Sequence, residues 1–375
     1  MQFRDLKKQY ENLKCDIDSA IFQTIESGTF IGGTSVVELE KQLADYVGVK
    51  HCITCANGTD ALSMVLMSWG IKQGDAVFVP DFTFFASGEV VSFEGATPVF
   101  YDVSPDTFNA DVASLEKAIE EVKKEGVLTP KVIIAVDLFG LPANYIEIER
   151  IAKKFGLLVL EDGAQGFGGK IENRVACSFG DAATTSFFPA KPLGCYGDGG
   201  AIFTNDDSMN EYLRSIKVHG KGSFKYDNVR IGWNSRLDTI QAAILQVKLK
   251  AFKEYEVESV NKIANQYTEL LKDVVKVPYV PEQYRSSWAQ YTLILESEGQ
   301  RDGLQKYLKE QGIPTMVYYP KPMHTQKAFG GDKVYVQCPV TEHLCSSVLS
   351  LPMHPYLERA DIEFIVGKVK EYFEQ

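Results

Sequence analysis

The sequence predicts an α/β protein: a large domain on a mostly parallel mixed sheet flanked by helices, then a smaller C-terminal α/β domain. Three observations carry this. The chain's 375 residues are more than one small core needs and suit two units. Short β-branched runs alternate with amphipathic segments through the first two-thirds, the pattern of crossover units and a parallel sheet. After Gly200 that alternation gives way to a long helical stretch and a mixed remainder.

In chain order, His51–Cys55 (HCITC) reads as a strand. Thr59–Trp69 follows as a helix, with Leu62, Val65, Leu66 and Trp69 on one face at 3–4 spacing. Strands are predicted at Ala76–Pro80, Thr97–Tyr101, Lys131–Val136 and Leu157–Leu160, with helices between them at Phe84–Phe93, Val112–Lys124 and Tyr145–Phe155. Ala201–Thr204 is a strand and Ser208–Val218 a helix. Leu237–Leu271, rich in Ala, Gln, Lys and Leu, reads as one long helix bridging two domains, residues 1–253 and 254–375. The remainder offers a strand at Ala289–Leu295 and helices at Gly303–Gln311 and Ala360–Phe373. Lys217–Asn234 is Gly-rich, polar and aperiodic, and a long loop of this kind is often functional.

Composition excludes several classes. The formal charge of −11 is wrong for tracking a nucleic-acid backbone, although local Arg or Lys residues and helix ends suffice for one nucleotide. The N-terminus, MQFRDLKKQYENLK, has no apolar h-region, and no stretch approaches the roughly 18 apolar residues that span a bilayer. Seven scattered cysteines, an odd number, point to free thiols and the cytoplasm. Cys52 and Cys55 form a lone CxxC with no partner pair, so they read as buried strand residues, and no metal is expected.

Ligands of parallel sheets bind beyond the carboxyl ends of the strands. Three segments supply chemistry there. Ser186-Phe187-Phe188-Pro189-Ala190-Lys191-Pro192-Leu193-Gly194 sets one Lys among apolar and Gly residues, and a lysine in a dry pocket becomes a nucleophile able to form a Schiff base. Taken alone, the same segment reads almost as well as a surface loop with a solvated lysine. Glu161-Asp162-Gly163-Ala164-Gln165 follows a strand, so Asp162 can hold a pyridinium nitrogen protonated; alone it is equally a helix cap. Asn57-Gly58-Thr59-Asp60 stands between strand and helix. There the N–H groups of Gly58 and Thr59 suit a phosphate, or simply a capped helix end.

Together the stretches NGTDAL, EDGAQ, SFFPAKPLGCYGDGGAIFTND and WNSRLDTIQAAIL resemble the nucleotide-sugar aminotransferases, the DegT/StrS group of the aspartate-aminotransferase fold (fold type I of the pyridoxal-phosphate enzymes). The resemblance runs from Phe3-Arg4-Asp5-Leu6 to Leu351-Pro352-Met353-His354-Pro355. Within the group, SFFPAKPLGCYGDGGAIFTND and SLPMHPYL are most similar to enzymes acting on UDP-linked 3-keto hexuluronic acids.

The resemblance implies pyridoxal 5'-phosphate as cofactor and L-glutamate as amino donor. It implies that Lys191 forms the Schiff base and shuttles the proton, and that Asp162 pairs with the pyridine nitrogen. Gln165 would contact the phenolic oxygen, Phe84 would stack on the ring, and Gly58, Thr59 and Ser186 would bind the phosphate. Asn234 would reach the phosphate of a neighbouring subunit's cofactor, making the active unit a homodimer, and Arg236 would face substrate across that interface. Tyr319 and His324 would lie near the sugar. Departures are small. Gly163 replaces the Ala of many members, and Gln165 is His in relatives that aminate another carbon. Lys191 itself disfavours the dehydratase branch, which carries His there. The rival readings are a dTDP-keto-deoxysugar aminotransferase, a different pyridoxal-phosphate enzyme of the same fold, and a regulator that has lost catalysis.

Overall fold

The computed structural model describes residues 1–224 and 226–374. Helices α1 (Leu6–Ser27) and α2 (Gly33–Val47) precede the first strand, β1 (His51–Cys55). Then come α3 (Gly58–Ser68), β2 (Asp75–Pro80), α4 (Ala86–Phe93), β3 (Thr97–Tyr101), α5 (Val112–Glu125), β4 (Thr129–Val136), α6 (Tyr145–Phe155) and β5 (Leu158–Asp162). A small ribbon, β6 (Lys170–Ile171) and β7 (Arg174–Val175), leads to β8 (Ala182–Ser186) and β9 (Gly200–Thr204). After α7 (Asp207–Ile216), α8 (Thr239–Ala251) runs through a π-turn at Phe252–Glu256 into α9 (Val257–Leu271). The C-terminal part holds β10 (Tyr284–Arg285), β11 (Tyr291–Ile294), α10 (Glu298–Glu310), α11 (Pro339–Ser347), β12 (Val348–Leu351) and α12 (Arg359–Phe373).

The central sheet has the order β1-β9-β8-β5-β4-β2-β3. β2, β3, β4, β5 and β8 pair in parallel, while β9 runs antiparallel to both β8 and β1. Strand alternation divides its side chains between two faces. Val77, Val79, Ile134 and Leu160 pack on one face with α3, α4 and α7. Phe78, Val99, Ile133 and Val159 pack on the other with α5 and α6, and Cys52, Ala183 and Phe203 with α2 and α8. A further core joins α9, α10, α12, β11 and β12.

The strands predicted from sequence form within two residues of their expected ends, and β5 extends to include Asp162. The expected helix over 237–271 starts at Thr239, after Asp238 in extended backbone, and carries the π-turn. Helix α10 begins five residues earlier than expected because Ser297 caps it, accepting from the Gln300 N–H at 3.2 Å. The 217–234 loop is a loose ribbon with bridges Val218–Asn234 and Lys221–Asn228.

Candidate active site

Asp162 is the last residue of β5, beside Val136 of β4 and Thr184 of β8. The pleat turns its neighbour Glu161 to the other face, where Glu161 accepts from the Phe179 N–H at 2.7 Å. Asp162 itself is buried. Its Oδ2 accepts from Ser87 Oγ at 2.8 Å and its Oδ1 from the Ala164 N–H at 3.2 Å. Ser87 Oγ lies 3.1 Å from Thr83 Oγ1, so the rotamer is fixed by a short chain of hydroxyls. Burial pushes the carboxyl pKa up, against the Ser87 and Ala164 hydrogen bonds and the Lys191 charge.

Lys191 lies on the connection from β8 to β9. That connection folds on itself: Phe187 N–H donates to Gly199 O at 2.7 Å, Cys195 N–H to Phe187 O at 2.8 Å, and Lys191 N–H to Phe188 O at 2.9 Å. Gly194 is required by this turn, since a Cβ there would stand 2.5 Å from Pro189 O. Lys191 is half-buried, and desolvation lowers its pKa; Asp162 acts in the opposite sense and Arg4 in the same sense. β8 and β5 are sheet neighbours, so amine and carboxylate share one sheet edge.

Asn57 caps α3 by accepting from the Asp60 N–H at 2.8 Å, which leaves the Gly58 and Thr59 N–H groups without intrahelical acceptors. Gly58 packs against the end of β8: an added Cβ would meet Ser186 Cβ at 2.8 Å. Gln165 is buried, with Oε1 accepting from the Phe139 N–H at 2.8 Å and Nε2 donating to Tyr319 Oη at 3.0 Å. Phe84 is 53% exposed, an unusual state for an aromatic ring, and its centroid is 6.1 Å from that of Tyr319.

The remaining expected residues lie further out. Ser235 donates to Asp60 Oδ2 at 2.6 Å and accepts from the Ala56 N–H at 3.0 Å, tying its segment to the start of α3. Asn234 and Arg236 flank it, the first exposed and the second half-buried. His324 is held by Asp81: its Nδ1 is 2.6 Å from Oδ2, and its N–H donates to Oδ1 at 2.8 Å. Among the described residues, Asp81, His324 and Cys338 are the one group with metal-ligand chemistry, and a separation of 2.6 Å is that of a hydrogen bond.

Ser87, Thr83 and Arg4 escaped the sequence reading. Ser87 had a signal, because a buried carboxylate at a strand end requires a nearby donor. Arg4 had none, since its partners lie 187 and 188 residues away.

The chain is similar to known proteins along nearly its whole length. The chain matches the DegT/DnrJ/EryC1/StrS aminotransferase family over residues 11–370. It is 45% identical, over 97% of its length and 98% of the relative's, to the UDP-2-acetamido-2-deoxy-3-oxo-D-glucuronate aminotransferase of Pseudomonas aeruginosa. It is 43% identical, over 98% of its length and 97% of the relative's, to a pleiotropic regulatory protein of Geobacillus stearothermophilus. A solved DegT DnrJ EryC1 StrS aminotransferase from Brucella abortus is 52% identical with full coverage of both chains and a TM-score of 0.97.

Proposed function

We propose a function from an established premise: the chain belongs to the DegT/DnrJ/EryC1/StrS aminotransferase family. It is a pyridoxal-phosphate-dependent transaminase of fold type I. The acceptor, in our reading, is a UDP-linked 3-keto sugar, most specifically a 3-keto hexuluronic acid, with L-glutamate as donor. The Pseudomonas relative acts on such a compound by its name. The pairing of Lys191 with Asp162 at one sheet edge supports catalysis over a purely regulatory role.

The residues fit the cofactor. The close approach of Gly58 to Ser186 makes a cradle that a Cβ would fill, with two free N–H groups for a phosphate. Asp162 is a buried carboxylate at a strand end, able to face a ring cation, and Phe84 offers an exposed ring face. Bound there, the cofactor supplies an electron sink that lets a Cα–H beside an amine ionise. Asp162, fixed by Ser87 and Ala164, holds a proton on the ring nitrogen. Lys191 anchors the cofactor; when free, its Nζ is the base that takes the Cα proton and the acid that returns it. Its lowered pKa raises the fraction of neutral amine near pH 7. Gln165, fixed at both ends, is assigned to the phenolic oxygen, and Tyr319 and His324 to the sugar. Gly58→Ala is expected to weaken cofactor binding by about tenfold at unchanged fold, read by fluorescence titration and circular dichroism.

Asn234 and Arg236 are assigned to a neighbouring subunit's site in a homodimer. In support, exposed Phe30 and Ile31 adjoin the same segment: Phe30 O accepts from the Thr239 N–H at 2.9 Å, and Ile31 bridges to Asp238. Exposed Phe22 and Ile25 extend this apolar patch, and a second copy is the occupant we assign to it. We place the domain boundary at Glu254, inside the π-turn. Among the described residues no helix is long and apolar enough to cross a membrane, and all seven cysteines are free, which supports a cytoplasmic setting.

The test is reverse transamination. With 2-oxoglutarate, UDP-linked 3-amino-3-deoxy hexuluronate is expected to release glutamate at least about tenfold faster than dTDP-linked 3-amino-deoxysugars, a gap of about 1.4 kcal/mol. Equal or reversed preference overturns the acceptor assignment.

A further inference from the structure

We propose that Arg4 is a positioning residue for Lys191, holding the main chain of the cofactor lysine from outside the site; this rests on the assignment of Lys191 above. Arg4 Nη2 donates to Lys191 O at 2.7 Å and reaches Pro192 O at 3.3 Å. Both contacts come from one guanidinium nitrogen, so the Nη2 group bridges two successive carbonyls while the planar guanidinium fixes its direction. Gln241 of α8 holds the far part of the β8–β9 connection through the Tyr196 N–H at 2.8 Å and carbonyl at 3.2 Å, and Arg4 supplies the side-chain bond to the Lys191 carbonyl.

Arg4 is itself pinned on both sides. The Met353 N–H donates to Phe3 O at 3.1 Å, and the Phe3 ring lies 6.2 Å from that of Tyr318, next to Tyr319. On the other side Asp5 caps α1, accepting from the Lys8 N–H at 2.8 Å. The arm therefore crosses from the C-terminal part of the chain to the lysine loop.

The surroundings make this an unusual arginine. No carboxylate lies within 4.0 Å of it among the described residues, and burial lowers its pKa to about 10, opposed by Glu256 and Tyr356. Glu256, in the π-turn, is already shared between Gln9 Nε2 at 2.8 Å and Tyr356 Oη at 2.5 Å. Lys191, Lys248 on α8 and His354 after β12 all face the Arg4 charge, and each has its pKa lowered by it as well as by burial. Opposing Arg4 at Lys191 is Asp162. A cation that clamps the lysine's carbonyl therefore also favours the neutral amine that the proton transfer needs.

Two substitutions and two readouts test this. Cofactor-free wild type, Arg4→Gln and Arg4→Lys are treated with pyridoxal phosphate and borohydride, and the adduct is located by mass spectrometry. Cofactor-free samples are also acetylated across pH, which gives the titration midpoint of the Lys191 amine. Wild type is expected to carry the adduct on Lys191. In Arg4→Gln the Lys191 midpoint rises, and kcat falls about 10- to 100-fold with KM for the sugar nucleotide within about threefold. In Arg4→Lys, whose retained charge suits the fold, the midpoint returns toward wild type while kcat stays depressed. An unchanged midpoint in Arg4→Gln, with or without loss of kcat, overturns the proposal, as does full kcat in Arg4→Lys. A wild-type adduct on any other lysine overturns the Lys191 assignment itself, and the proposal with it.

Discussion

Lys191→Ala is expected to lower kcat by about 10⁴-fold or more and to abolish the borohydride-fixed adduct, while the fold and the sheet edge persist. On the assignment proposed above, removing the amine would delete both the covalent anchor and the base for the Cα proton, and general acid–base catalysis alone contributes about 10²–10⁴-fold. The backbone reasons for the loop are untouched, because Gly194, Phe187 and Arg4 act through main-chain atoms. A small primary amine in solution should therefore restore part of the activity. The necessary control is Lys248, which is more deeply buried and has its pKa lowered to about 8, first by desolvation. Electrostatics alone would choose Lys248 as the nucleophile. Geometry rejects it: Lys248 Nζ lies 4.8 Å from the Tyr196 ring centroid, and the carboxylate that acts on it is Glu256 of the π-turn, not the strand-end Asp162. Lys248→Met should keep the adduct on Lys191. An adduct retained in Lys191→Ala and lost in Lys248→Met would reverse the assignment.

The Asp162 side of the edge was legible in sequence because the residue closes a run of buried side chains that is written in the chain, and Lys191 was singled out by its apolar and Gly-rich surroundings. A carboxylate after LLVL needs no knowledge of tertiary structure to be placed near a strand end, whereas the strand that precedes Lys191, AATTS, was not read from the sequence. The direction of β9 was not legible from its own residues, since AIFT suits either polarity. The connection was the clue: a parallel return needs a crossover, and residues 187–199 contain no helix. Helix α1 escaped assignment for a different reason. Of the 22 residues of α1, only Gln9, Ile17 and Thr24 are buried, so its apolar period is faint, while Phe22 and Ile25 stay exposed. Arg4 was invisible because its meaning depends on what lies opposite, which no local spacing encodes.

Asp162→Asn should separate holding the cofactor from using it, and the pH dependence of stability supplies the check. Asparagine preserves the shape. Its carbonyl can accept from Ala164, and its amide can donate to Ser87 Oγ, which then turns to Thr83 Oγ1. What would be lost, on the proposed assignment, is the charge that keeps the ring nitrogen protonated, and kcat should fall about 10²- to 10³-fold, the scale of a preorganised electrostatic contact. Without cofactor the effect on stability has the opposite sign. The Asp162 pKa is raised in the fold, chiefly by desolvation, so the unfolded chain releases this proton more readily. Stability tied to the protonated form is full below the ordinary carboxylate pKa and is lost as pH rises through the raised value. Cofactor-free wild type should therefore melt below Asp162→Asn at pH 7–8, and the gap should close toward pH 4. Adding the cofactor reverses the order at pH 7–8, because only the aspartate gains a cationic partner. A variant with wild-type kcat, or one that melts lower with and without cofactor alike, would mean that this carboxylate serves the fold and not the ring.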